Sequence, residues 1–211
     1  MENKELRRFS LRHFMQYQWL TLLLLAVASF AAFYYPINAI NAYSGAERLD
    51  CFFLVSDEKV DYLSGLADGK DIYEVDRYFY SPDTAHIGDV YTAYGVFADL
   101  LLVRDVDLDD AEGYIGELAF ALPDEVASSI SLPLYTPEDG DGKSYGTKIY
   151  DGADEAFNSA HRFAEWLDFG SYSGAYYLIL GPEGENLGEY KEGSANDAAV
   201  KAYLKILEDW A

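Results

Sequence analysis

An α/β domain behind a single membrane-spanning helix is the architecture this 211-residue chain predicts, and three observations predict it. The N-terminal part holds a long charge-free apolar run. Beyond it, short aliphatic runs of strand length alternate with segments of helical apolar spacing. Composition supplies the third: 37 Asp and Glu face 15 Lys and Arg, for a formal charge of −22, yet half the residues are hydrophobic and 16% aromatic. That much apolar surface excludes a disordered acidic tail. The charge argues against a nucleic-acid partner, because phosphate contacts need clustered Lys and Arg. Cys51 is the single cysteine, so no disulfide framework or cysteine zinc site can form within the chain.

No charged side chain occurs between Phe14 and Ala46. Within that stretch residues 19–35 (WLTLLLLAVASFAAFYY) would span about 25 Å as a helix, enough for a bilayer core with local thinning. Tyr17 and Trp19 at one end, with Tyr34 and Tyr35 at the other, sit where interfacial aromatic belts belong. Pro36 is expected to stop the helix. Lys4, Arg7, Arg8 and Arg12 precede the run, and the next basic residue is Arg48, so the positive-inside rule keeps the N-terminus cytoplasmic. The expected organisation is a basic cytoplasmic segment 1–13, a single-pass signal anchor 14–36, a tether 37–46 and an acidic extracytoplasmic domain 47–211. The competing reading is a signal peptide cleaved after Ala28, at Ala26-Val27-Ala28. The apolar run continues seven residues past that point, which favours the anchor. Both readings place the domain outside the cytoplasm. Residues 36–211 carry 11 Lys and Arg against 35 Asp and Glu, so the domain should stand away from anionic headgroups. A lone thiol and no Asn-x-Ser/Thr acceptor fit a bacterial envelope protein.

Residues 49–55 (LDCFFLV) form a nearly continuous apolar run, as a strand covered on both faces does. Ser56 can cap a following helix whose Val60, Leu63, Leu66 and Ala67 share a face, with Gly69 as its terminator. Residues 72–80 (IYEVDRYFY) are aromatic and β-branched and predict a second strand. A turn at residues 81–84 leads to a short helix over 89–97, and residues 99–103 (DLLLV) predict a third buried strand. Asp109 caps a helix carrying Ala111, Tyr114, Ile115 and Leu118. Three prolines between residues 121 and 142 predict a loop with one short helix over 124–129. Strands are expected over 145–150 and 176–180, and a helix over 154–167. Ser194-Ala195-Asn196-Asp197 resembles a capping box before a final amphipathic helix with Val200, Tyr203, Leu204 and Leu207 on one face. Strands joined through helices imply right-handed βαβ units and a mostly parallel sheet.

Catalytic and metal motifs fail one by one. Gly142-Lys143-Ser144 ends like a phosphate-binding loop, but Pro137 stands where its first glycine belongs. Read as a calcium loop, the same stretch puts Pro137 and Lys148 at anchoring ligand positions. Gly170-Ser171-Tyr172-Ser173-Gly174 has the glycines of a nucleophile elbow with tyrosine at its centre. Ser56 to Lys59 matches Ser-x-x-Lys of acyl-transfer enzymes, without their companion elements; a helix cap explains it more simply. His161 and Glu165, four apart on one predicted helix, suit a surface ion pair better than a metal. No catalytic set, metal set or cofactor is therefore expected. The 19 tyrosines read first as sheet packing and second as a stacking surface for a sugar or peptide.

Residues 49–55 and 98–103 together resemble the first lobe of bacterial extracytoplasmic solute-binding proteins: a buried strand, a helix, an extended strand with a Ser/Thr-rich end, then a strand opening Ala-Asp. Residues 145–152 and 175–180 look like the later strands of small single-pass membrane proteins of Gram-positive bacteria. The chain has room for little more than one such lobe. This resemblance implies a non-catalytic accessory, sensory or solute-binding-like protein working beside a membrane partner such as a transporter. The alternative is a structural or interaction module of the cell envelope; a hydrolase ranks third. Expected partners are membrane lipid through residues 14–36, a transporter or other envelope protein, and a small-molecule ligand, with no nucleic acid. In a parallel sheet ligands sit at the carboxyl ends of the strands. The candidate ligand-binding residues are accordingly Ser56, Asp57, Tyr80, Ser81, Thr84, Arg104, Asp105 and Asp151. Arg104 is the most conspicuous, a rare cation directly after a buried strand, expected to meet an anionic ligand group or a neighbouring carboxylate such as Asp57.

Overall fold

The computed structural model describes residues 19–41, 47–83, 86–109, 120–137, 142–181 and 198–211. The chain divides into two units, residues 1–42 and 43–211. In the first, helix α1 (Trp19–Asn41) passes through Pro36 instead of ending there. Proline removes one backbone donor but its fixed φ is already helical, so a helix can continue past it. The last turn of α1 therefore occupies part of the stretch expected to be a tether. Its segment Trp19–Pro36 is long and apolar enough to cross a membrane.

The second unit is built on one six-stranded sheet. Its strands are β1 (Arg48–Phe53), β2 (Glu74–Phe79), β3 (Leu100–Arg104), β4 (Leu134–Tyr135), β5 (Gly146–Asp151) and β6 (Ala175–Leu180), in the order β2-β1-β3-β6-β5-β4. Only β1–β2 and β1–β3 are parallel pairs; β3–β6, β6–β5 and β5–β4 are antiparallel. The sheet is thus mixed, and the expectation of a mostly parallel one is corrected. Between β5 and β6 lie only α5 (Glu155–Ala160) and α6 (Phe163–Trp166). Helices of six and four residues rise about 9 and 6 Å, too little to carry the chain back along a strand of about 20 Å. The connection therefore stays at one edge and β6 returns antiparallel. One consequence survives the correction: β2, β1, β3 and β5 all point the same way, so their carboxyl ends share that edge.

Period-two alternation sends side chains to two cores. One face gathers Cys51, Phe53, Leu102 and Leu178 beneath α7 (Ala198–Trp210), with Phe163 and Trp166. The other gathers Phe52, Leu54, Leu101, Val103 and Ile179 with Tyr91 and Leu108. Cys51 is buried, and burial pushes its thiol well above the usual range, with Asp99 and Asp50 adding to the shift. A polar contact deep under α7 is satisfied: the buried Tyr203 hydroxyl donates to the Leu178 carbonyl at 3.2 Å and bonds the Thr147 hydroxyl.

Two expected helices are corrected. The stretch after Ser56 holds only a 3₁₀ turn, Leu63–Leu66, and Ser56 caps nothing. Residues 56–59 pair instead with residues 166–168, through Ser56 N–H to the Asp168 carbonyl, Asp168 N–H to Asp57 and Lys59 N–H to Trp166. The helix expected over 154–167 breaks into α5 and α6 at His161, because the Arg162 amide donates to the Trp210 carbonyl at 2.8 Å instead of continuing it. The remaining helices are α2 (Ile87–Val90), which widens into a π turn at Tyr91–Gly95, α3 (Asp105–Asp109) and α4 (Asp124–Ser129). The helix expected beyond Asp109 and the capping box 194–197 lie outside the described residues.

Candidate functional site

A polar cleft of about 220 Å³ opens at the shared carboxyl edge of the sheet. Ser56 follows β1, Ser81 follows β2 and Arg104 ends β3, and all three line it together with Pro82 and Asp83. The facing wall is the segment 169–173, and Tyr176 at the start of β6 also lines the cleft. Of the residues singled out from sequence, the cleft thus brings together Ser56, Ser81 and Arg104. Asp57 lines a neighbouring depression with Glu58, Asp61 and Arg77. Tyr80 packs on the other face, against Phe52 and Tyr94. Asp151 is ion-paired to Lys148 at 2.9 Å, which holds its carboxyl below the usual range. Thr84 lies outside the described residues.

Arg104 meets neither Asp57 nor a free carboxylate across the cleft. Its Nε and Nη2 donate to the two oxygens of Asp107 at 2.9 and 2.8 Å, and its own backbone N–H donates to the same group. That fork raises the guanidinium pKa above its ordinary value. The guanidinium also lies 5.3 Å from the centre of the Tyr172 ring.

Asp105 builds the opposite wall rather than facing the cavity. Its carboxylate accepts from the Tyr172 hydroxyl and from the Ala175 backbone N–H, tying down the C-terminal end of the segment that covers the cleft. Desolvation, then the bond to Asp105, pushes Tyr172 up to about 12, so it remains a neutral donor at any physiological pH. Glycines permit this path. Gly170 is left-handed at φ 61°, and a Cβ on Gly174 would stand 2.7 Å from Asp105 Oδ2 and from the Tyr172 hydroxyl. Gly174→Ala should therefore cost about 1–3 kcal/mol by overpacking. Hydrogen exchange at the Ala175 amide should accelerate along with it; unchanged protection there would show that the wall does not depend on this contact.

Tyr176 pairs across the sheet with Arg104 and is completely buried. Its hydroxyl has no hydrogen-bond partner among the described residues, and burial raises its pKa. The serine matched to Ser-x-x-Lys lies in the cleft, while the Lys59 ammonium donates to the Ala164 carbonyl at 2.9 Å. Glu165 pairs with Arg162 at 3.1 Å, so the expected pair with His161 is corrected: the break between α5 and α6 removes their common face. Tyr172, Tyr176 and Asp107 were missed as site residues. For Tyr172 the signal was present in Gly170-Ser-Tyr-Ser-Gly174, a glycine-bracketed hydroxyl run directly before a buried strand.

The chain matches no family model, no curated protein and no solved structure.

Proposed function

We propose that this is a single-pass membrane protein with a cytoplasmic N-terminus, whose acidic domain stands outside the cell and takes up a small polar solute at the strand-end cleft. It acts without catalysis, as a solute-binding-like or sensory accessory to a membrane partner such as a transporter. One observation carries the reading: Ser56, Ser81 and Arg104, brought from three different strand ends, converge on a single cavity also lined by Tyr176, whose buried hydroxyl has no partner among the described residues. Clefts at strand carboxyl ends, lined by a few convergent polar groups, are the usual position of ligands in open α/β sheets. The orientation rests on the basic residues ahead of α1 and the carboxylate excess behind it.

The test is purification from native membranes in lipid nanodiscs, with bound proteins and small molecules identified by mass spectrometry. A stoichiometric permease together with a retained small polar molecule supports the proposal. A stoichiometric wall or scaffold protein, with no small molecule, would replace it by the second reading, an envelope interaction module. A separate observation favours that alternative: Tyr78 and Tyr80 both stack on a half-exposed Tyr94, at ring separations of 5.1 and 6.1 Å. Such aromatic surfaces suit protein docking.

A further inference from the structure

Resting on the solute-binding reading, we infer that the cleft is selective for a neutral polyhydroxylated ligand of about one sugar ring. The first reason is what lines it. Four serines, Ser56, Ser81, Ser171 and Ser173, line it together with the buried Tyr176. Among the described residues, Ser56, Ser171, Ser173 and Tyr176 make no side-chain hydrogen bond, and Ser81 Oγ only accepts a long one, 3.4 Å, from the Asp83 amide. A hydroxyl both donates and accepts, so a cluster of them matches a partner whose groups do likewise. Amino groups and carboxylates offer only half of that exchange.

The second reason is the orphan. The Tyr176 ring is fully buried and its oxygen is cut off from bulk water, yet no group among the described residues answers it. An unpaired buried hydroxyl costs about 1–3 kcal/mol, a penalty that an entering hydroxyl would relieve. The third reason is charge. Arg104 is the one cation of the lining among the described residues, and two of its nitrogens are committed to Asp107. With Asp83 also on the rim, no positive charge is left over for a carboxylate or phosphate. The Arg104 Nη1, which makes no hydrogen bond among the described residues, can donate to a hydroxyl or ring oxygen. Size agrees: about 220 Å³ falls below the roughly 300–1,000 Å³ of pockets that hold drug-sized molecules.

The test uses the full chain in nanodiscs, since maltoside detergents would themselves present sugars. Glucose, galactose, N-acetylglucosamine, glucuronate and putrescine are titrated calorimetrically up to about 10 mM. At least one neutral sugar should bind saturably, and glucuronate should bind at least about tenfold more weakly than glucose or galactose. Tyr176→Phe should weaken the sugar by about tenfold without lowering the melting temperature, because it deletes a hydroxyl that the empty fold does not use. Ser81→Ala provides a second variant on the opposite wall, with a loss in the same direction. Equal or tighter binding of glucuronate or putrescine, lost in Tyr176→Phe, overturns the neutral selectivity while keeping the cleft as a solute site. Absence of any sugar binding at the highest concentration overturns the inference outright, and recovery of another bound small molecule from native membranes would then show whether the broader reading stands.

Discussion

Glu58→Ala is expected to destabilise the sheet domain by about 3–5 kcal/mol, the summed loss when a buried carboxylate that answers several donors is deleted. The Glu58 side chain is only 5% exposed although it lies in a segment with no regular structure. Its Oε1 accepts from the Trp166 indole N–H at 2.8 Å and from the backbone amides of Tyr62 and Leu63 at 2.7 and 2.9 Å. Its Oε2 takes Arg77 at 2.9 Å. Truncation leaves a buried indole donor, two amides and one guanidinium contact unanswered, and each unmet buried group carries its own desolvation cost. Glu58→Gln keeps one acceptor oxygen for the three N–H groups and turns an amide toward Arg77, so its loss should be smaller, about 1–3 kcal/mol. Urea unfolding followed by far-ultraviolet circular dichroism measures both. A shift under about 1 kcal/mol for the alanine variant would show that water replaces the carboxylate at little cost.

Trp166→Ala should cost a similar amount, about 3–5 kcal/mol, by a different route. The indole is fully buried, stacked on Trp210 at 5.6 Å and set edge-on against Tyr62 and Phe53 at 5.0 and 6.0 Å. Its removal opens a cavity where the 3₁₀ turn, β1 and the end of α7 meet. Because Trp166 and Glu58 share a hydrogen bond, their effects should not add. The double variant should lose less than the sum, since the indole N–H stranded by Glu58→Ala no longer exists once the ring is gone. Strict additivity in the same unfolding measurement would mean that the bond contributes nothing.

The positions of β1, β3 and β6 were legible because each is largely sealed on both faces and reads as a nearly continuous apolar run. That same sealing hid their direction. Residues 175–180 look alike whether the neighbour runs parallel or antiparallel, and only the shortness of α5 and α6 decides it. The helix expected after Ser56 failed because Val60 sits half exposed, and the amide groups there bond to residues 166–168 across the fold. No local spacing encodes such a partner. β4 escaped notice as two residues between Pro133 and Pro137. At the cleft, Ser56, Ser81 and Arg104 followed from strand ends alone, whereas Tyr176 was read only as the first apolar residue of a strand. Its significance lies in a hydroxyl left without a partner, which depends on the neighbours that packing supplies.

The solitary sulfur at the centre of β1 has a practical corollary. A chain with one thiol has no internal pairing to get right, so the sheet can assemble equally well in reducing or oxidising surroundings and needs no oxidase or isomerase. Sealed between strands and held in its protonated form, Cys51 is shielded from alkylating reagents while the sheet is closed. Its labelling rate therefore counts the moments when the strands part, giving the protein an endogenous gauge of its own opening.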